Sequence, residues 1–183
     1  MMHPLLRLIK KAAYYLPRRF GTFAFGTRRL AYYCHAYNHT WLNERCIEIP
    51  LALDFLRPGM RVLEVGRVLD HYRPFPHDCV DKFEPGAVNV DVVDYKPSEN
   101  YDLILSISTL EHVGWDEDRN REKIHVAIRH LRSLLKPGGV LVATLPTGYN
   151  QNLDEDLRGG QSFSRNSIIL PAPLWAVGKK PLP

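Results

Sequence analysis

The sequence has 183 residues, 45% of them hydrophobic and 24% charged, a composition ordinary for one soluble globular domain. It holds no run of about 20 apolar residues, which excludes a predicted membrane-spanning helix. The formal net charge is +4, but residues 1–45 contain eight Lys and Arg against one acid, whereas the rest of the chain is net −3. The basic character therefore belongs to the N-terminal segment.

Residues 1–45 form a basic, aromatic segment that we predict to be a helical extension. Its apolar residues recur at helical spacing beside basic ones: Leu5, Leu8, Ile9, Ala12 and Leu16. Pro17 should end this helix. We favour an extension that packs on the core or covers a substrate site. The alternative is an amphipathic element that contacts an anionic membrane surface or a partner.

Residues 46–147 carry the pattern of an α/β core. A helix predicted near residues 44–56 ends in an Arg-Pro-Gly turn, and a strand follows at residues 61–65. The same unit recurs as a helix over residues 118–135, a Lys-Pro-Gly-Gly turn and a strand at residues 140–145. This alternation predicts five parallel strands with crossover helices. The remaining three predicted strands cover residues 78–82, 87–93 and 101–108.

Residues 148–183 are polar at first and then rich in proline. Such a sequence does not plainly supply two more strands and a helix. We therefore predict a poorly structured tail.

Cysteine usage indicates reduced thiols. Cys34, Cys46 and Cys79 are scattered, with no CxxC spacing, which predicts a cytoplasmic protein without a zinc site. The spacing of the histidines, His77 included, also predicts no metal ligands.

Several candidate ligand-binding residues lie at predicted strand ends, where open parallel sheets bind their ligands. Glu64 and Gly66 end the first strand, and a glycine there lets the backbone approach a ligand. Asp81 ends the next apolar run, where an acid can bond ribose hydroxyls. Its alternative is a solvated or helix-capping acid, and Glu84 replaces it if the strand ends later.

Asp91 is placed to accept from an adenine amino group while the backbone N–H of Val92 reaches a ring nitrogen. Asp94 is an alternative to Asp91, and turn formation is the other interpretation of both acids. Ser106 faces the same crevice. His112 is the imidazole nearest the expected ligand, as a general base or as a packed histidine.

These motifs resemble the class I S-adenosylmethionine (SAM)-dependent methyltransferases, particularly the small-molecule group with an LEHV motif. The matching blocks are VLEVG, VDK, VDVVDY, YDLILSISTLEHVG and LLKPGGVLVATLP, over about residues 50–147. The resemblance implies a doubly wound, mostly parallel, Rossmann-like sheet and SAM as methyl donor.

Two departures from that family pattern affect the expected function. A single glycine, Gly66, stands in place of a GxGxG turn, with Arg67 and Val68 at the flexible positions. The antiparallel strand pair that ends the family sheet is not evident, as in a C-terminally truncated form. We expect methyl transfer to a small-molecule acceptor. The alternatives are an inactive SAM-fold binding or scaffolding protein, and a nucleic-acid methyltransferase that uses the basic segment as a phosphate-binding arm.

Overall fold

The computed structural model describes residues 13, 15–117 and 119–158, and the backbone of residues 167–172. The chain divides into two compact units, an N-terminal unit up to Asp54 and a sheet unit from Phe55 to Ala172. Most of the apolar stripe that predicted an N-terminal helix lies outside the described residues. Within those residues, none of the helices combines the length and apolarity needed to cross a membrane.

In the N-terminal unit residues 15–20 are helical, so the helix continues past Pro17, where the sequence predicted its end. A β-hairpin follows within the predicted helical extension. Strands β1 (Thr22–Phe25) and β2 (Arg28–Ala31) pair antiparallel, and Gly26 turns the chain between them with a φ of 57°. Helix α1 (Arg45–Phe55) begins after a short 3-10 segment. The prediction fails over the hairpin because aromatic and β-branched residues around a glycine turn favour strand pairing over a helix.

The sheet unit is an α/β fold built on five parallel strands. The order β4-β3-β5-β6-β7 places β5 at the centre. The strands are β3 (Val62–Val65), β4 (Asp78–Val80), β5 (Tyr101–Ile107), β6 (Leu135–Pro146) and β7 (Ser167–Ala172). Helices α2 (Arg121–Ser133) and α3 (Gln151–Arg158) are the crossovers between β5 and β6 and between β6 and β7. The predicted fold class is confirmed.

The five strands are not the five that the sequence predicted. Residues 87–93 form a single bridge, between Val88 and Val80, and then enter a 3-10 turn in which the Asp91 carboxylate accepts from the Val93 amide. The tail, predicted to be poorly structured, instead supplies α3 and β7. Residues 159–166 and 173–183 lie outside the described part of the chain.

The core of the sheet unit follows from two sequence patterns. Strand β5 is almost entirely buried, as a continuous apolar run at the centre of a parallel sheet should be. Helix α2 buries one stripe at helical spacing, and the Asn120 side chain caps its first turn by accepting from the Glu122 amide at 3.1 Å. The stripe consists of Ile124, Ala127, Ile128 and Leu131.

Candidate functional site

A cavity of about 330 Å³ lies beyond the carboxyl ends of β3 and β4. This volume is at the small end of the roughly 300–1,000 Å³ of typical ligand pockets. The apolar part of its wall is formed by Val65, Val80, Phe83, Val90, Val92 and Val113. The polar and small residues are Gly66, Asp81, Lys82, Asp91, Thr109, His112, Asp116 and Glu117.

The cavity brings together most of the site residues that the sequence predicted. Gly66, Asp81 and His112 line it, as do Asp91 and Val92. They converge because the ends of neighbouring parallel strands meet at one edge of the sheet. Glu64 and Ser106 do not line the cavity, and the alternative acids Glu84 and Asp94 do not line it either.

Gly66 is required by the backbone at the end of β3. Its φ is 85°, in the left-handed region that favours glycine. A Cβ at this position would lie 2.1 Å from the Thr109 Oγ1 atom. The wall of the cavity can therefore accept no side chain here without a shift of Thr109.

Asp81 holds the loops on both sides of the cavity. Its Oδ2 atom accepts from the Arg67 amide at 3.1 Å, and its Oδ1 atom accepts from the Phe83 and Glu84 amides at 2.9 Å each. A carboxylate offers about four acceptor positions, so one remains after these three bonds. The structure therefore agrees with the interpretation of Asp81 as a capping acid. The remaining acceptor position of its carboxylate can still bind a hydroxyl.

A group of four alternating charges, the rim cluster, lies along one side of the cavity. It consists of Lys82, Asp91, Glu117 and Lys123. The Asp91 Oδ2 atom accepts from the Lys123 Nζ atom at 2.7 Å and from Lys82 at 3.2 Å, and both lysines also bind Glu117.

The rim cluster keeps Asp91 ionised. Burial alone would raise the pKa of Asp91, but the hydrogen bonds from the lysines and from the backbone outweigh it and lower the pKa. The same contacts raise the pKa of Lys123. Asp91 is thus a carboxylate whose hydrogen-bonding capacity is already partly used.

His112 belongs to a hydrogen-bonded group with Asp116 and Tyr149. The His112 Nδ1 atom lies 2.6 Å from the Asp116 Oδ2 atom, and the Tyr149 hydroxyl donates to both Asp116 oxygens, at 2.8 and 3.0 Å. The Tyr149 ring also packs edge-on against the imidazole, with centroids 4.7 Å apart. The Nδ1 atom therefore faces the Asp116 carboxylate. The other ring nitrogen, Nε2, lies 3.6 Å from the Glu111 Oε1 atom.

Asp116 is an anion in this group. Burial by itself would raise the pKa of Asp116, yet the hydrogen bonds from Tyr149 and His112 lower it. Burial and the neighbouring Asp116 raise the pKa of the Tyr149 phenol to about 12. Sequence reasoning missed both residues. The four-residue spacing of His112 and Asp116 was a usable signal, whereas Tyr149 comes from beyond β6.

Glu64 and Ser106 lie behind the cavity wall. Glu64 is fully buried, and its Oε1 atom accepts from the Val68 and Leu69 amides at 3.1 and 2.8 Å. Its Oε2 atom lies 3.0 Å from the His77 Nε2 atom. The Ser106 Oγ atom is buried without a hydrogen-bond partner among the described residues. Neither side chain reaches the cavity wall.

Comparison with known proteins defines the class. The profile of a protein family described as a methyltransferase domain matches residues 37–169, and the chain belongs to this family. The match confirms the resemblance to class I SAM-dependent methyltransferases.

A solved structure with 17% identity and a TM-score of 0.39 is titled "DhpI-SAM-HEP complex", and the match covers 77% of this chain and 66% of that one. The chain thus spans slightly less than two thirds of that protein. No curated protein matches the sequence significantly.

Proposed function

We propose that the chain is a SAM-dependent methyltransferase that acts on a small-molecule acceptor. The observation that best supports this function is the cavity at the carboxyl ends of β3 and β4, which collects Gly66, Asp81, Asp91 and His112. Family membership supports the class of reaction. The small-molecule acceptor is supported by the charge of the part that forms the cavity, since residues 46–183 are net −3 and the excess of cations for a phosphate backbone lies only in residues 1–45.

The residues of the cavity fit a nucleoside-bearing cofactor. Valine side chains supply apolar walls for a base, and Asp81 retains room for a ribose hydroxyl. The Val92 amide and the Asp91 carboxylate would bind the edge of the adenine. Gly66 would allow the methionine part to approach the backbone. When bound, SAM supplies an electrophilic methyl group on a sulfonium, which carries its own leaving group.

The chemical contribution of the chain is positioning and proton removal. Holding the donor and the acceptor in line lowers the activation barrier, because the two reactants no longer have to meet and orient in solution. His112 is the general base in this proposal. Asp116 fixes the proton on Nδ1, so Nε2 takes the proton from an acceptor hydroxyl or amine. Asp116 and Tyr149 are positioning residues, since they act through the imidazole.

A second candidate function is a SAM-fold binding or scaffolding protein without turnover. The observation that favours it is the engagement of both cofactor acids by the protein itself. Asp81 accepts three backbone hydrogen bonds, and Asp91 is bound by two lysines. Each of these contacts competes with a ligand and lowers the expected cofactor affinity.

Calorimetric titration with SAM and with S-adenosylhomocysteine tests the proposal. We expect binding in the micromolar range, about −8 kcal/mol, weakened about 10-fold or more by Asp81→Asn through loss of a charge-assisted hydrogen bond. Asp94→Asn is the matched control, because Asp94 is exposed and lies outside the cavity wall. Folded protein that binds neither compound would contradict the proposal.

Turnover separates the two candidate functions once binding is shown. A screen of small hydroxyl and amine acceptors should yield S-adenosylhomocysteine if the chain is an enzyme. Binding without turnover on any acceptor would favour the non-enzymatic function. Activity on nucleic acid that falls steeply with salt would instead support the phosphate-binding arm.

A further inference from the structure

Three side chains of different metal-ligating types meet behind the cavity wall. We call Glu64, His77 and Cys79 the buried cluster. One ligand atom from each lies within 4.8 Å of the other two. Glu64 and Cys79 are register partners on the neighbouring strands β3 and β4. His77 precedes Cys79 by two residues, which in an extended chain places both side chains on one face.

The hydrogen bonds of His77 determine which nitrogen faces the cluster. Its Nδ1 atom lies 2.7 Å from the Phe75 carbonyl oxygen, and a carbonyl can only accept, so Nδ1 carries a proton. The Nε2 atom then points at the Glu64 Oε2 atom, 3.0 Å away. A neutral imidazole would thus place a lone pair against a carboxylate oxygen. A positive charge belongs between them, either a proton on Nε2 or a metal ion.

The same arrangement is typical of a histidine prepared to bind a metal. Metal-ligating histidines usually donate their other ring N–H to a carbonyl or carboxylate, which fixes the tautomer and the ring orientation. Glu64 is fixed in a similar way, because its Oε1 atom accepts two backbone amides. The side chains of His77 and Glu64 are 2% and 0% exposed, so water contributes little to balancing their charge.

The presence of Cys79 in the buried cluster supports a metal ion between His77 and Glu64 over a shared proton. A proton shared by His77 and Glu64 gives the thiol no part in the cluster, whereas a metal ion uses all three groups. The Cys79 Sγ atom lies within 4.8 Å of ligand atoms of both Glu64 and His77, so a single metal ion can contact all three side chains.

We propose that Glu64, His77 and Cys79 form a Zn²⁺-binding site that links β3 to β4. Thiolate, imidazole and carboxylate are the donors that Zn²⁺ takes in proteins, and three protein ligands leave its fourth position for water or another ligand. The site is separate from the cofactor cavity, since none of the three residues lines that cavity. No sequence motif indicates this zinc site, because its ligands come from two adjacent strands and not from a CxxC loop.

The first test is metal binding by the full chain after treatment with a chelator. We expect one Zn²⁺ per chain by calorimetry, and a rise in Tm of roughly 5–10 °C at a zinc concentration about 100 times the Kd. Co²⁺ should give a thiolate-to-cobalt charge-transfer band in the near ultraviolet. Cys79→Ser should remove the band, and His77→Gln should weaken zinc binding at least 10-fold.

Matched variants identify the ligands. Cys34→Ser and His71→Gln change the same residue types outside the buried cluster, and both should bind Zn²⁺ as the wild type does. Circular dichroism establishes that Cys79→Ser and His77→Gln are folded. If either variant fails to fold, the charge-transfer band is compared in Cys34→Ser and Cys46→Ser. A band that persists in both identifies Cys79, the third cysteine, as the thiolate ligand, and its loss in either variant contradicts the assignment.

Two outcomes overturn the proposal. The wild type, folded and reduced, does not bind Zn²⁺, or it binds Zn²⁺ equally well after Cys79→Ser and His77→Gln. Either result would leave Glu64 and His77 as a buried, proton-bridged ion pair. Zinc binding requires no SAM, so neither result depends on whether the chain is a methyltransferase.

Discussion

The two sides of the β3 terminus place charge in very different surroundings. In the buried cluster, Glu64 and His77 are shielded from water and every contact of Glu64 is made within the protein. In the rim cluster, Lys82 and Glu117 are 40% and 33% exposed, so solvent competes with the ion pair between them. Removing one partner from a buried pair is costly, while exposed pairs contribute about 0–1 kcal/mol. The buried side should therefore govern stability, and the cavity side should govern binding and chemistry.

The largest effect on stability should follow from Glu64→Ala. The substitution leaves the Val68 and Leu69 amides and the His77 imidazole without their acceptor, which should lower the free energy of unfolding by about 3–5 kcal/mol. Urea denaturation of metal-free protein measures it. Glu117→Ala removes a rim carboxylate and should cost less than about 1 kcal/mol. Equal losses of unfolding free energy in Glu64→Ala and Glu117→Ala would contradict the prediction that the buried cluster governs stability.

The complementary effect on the cavity side should follow from His112→Gln. Loss of the general base should lower turnover about 100-fold or more, while the free energy of unfolding stays within about 0.5 kcal/mol, because the His112 side chain is 45% exposed. Single-turnover kinetics and SAM titration separate chemistry from binding. His71→Gln, outside the cavity wall, should turn over as the wild type does. If His112→Gln also lowers SAM affinity and the free energy of unfolding, His112 has a structural role and is not the general base.

Gly66→Ala should disturb both sides, because Gly66 separates them. We expect a loss of about 1–3 kcal/mol in the free energy of unfolding, together with weaker SAM binding. Gly59→Ala is a matched control, since Gly59 has a similar φ of 80° but no atom within 4 Å of an added Cβ. The difference between the two variants measures the clash with Thr109. Identical losses would show that Thr109 moves aside without cost.

The smallest effect should be the pH dependence of the rim cluster. The pKa of Asp91 is lower in the folded state than in the unfolded state, so its contribution is complete above the unfolded pKa of about 3.9 and is lost as pH falls through the folded pKa. The free energy of unfolding should fall below about pH 4. Asp91→Asn should reduce this fall, whereas Asp94→Asn should leave it unchanged. An unchanged acid limb in Asp91→Asn would contradict the assignment.

Much of the lining of the cavity could be predicted from single residues. Gly66, Asp81 and Asp91 were found because each follows an apolar run, and such runs end at one edge of a parallel sheet. Glu64 was placed with them for the same reason, but its carboxylate turns away from the cavity to cap the next turn. Position along a strand predicts the edge at which a residue lies. It does not predict which hydrogen-bond donors compete for its side chain.

The sequence by itself determined the α/β class, the central strand β5 and helix α2. These features follow from hydrophobic periodicity, which is set by residues close together in the sequence. Tertiary structure decided the rest. It turned residues 87–93 into a bridge and a 3-10 turn and added β7 to the sheet. It also placed the Tyr149 hydroxyl on Asp116 and the Cys79 thiol within 4.8 Å of a Glu64 carboxylate oxygen. The addition of β7 depends on backbone pairing with β6, and the other outcomes depend on which polar groups meet across strands. Polar groups pair in this way because a buried charge or hydrogen-bonding group without a partner destabilises the folded state. A local sequence pattern does not show which distant residue becomes that partner.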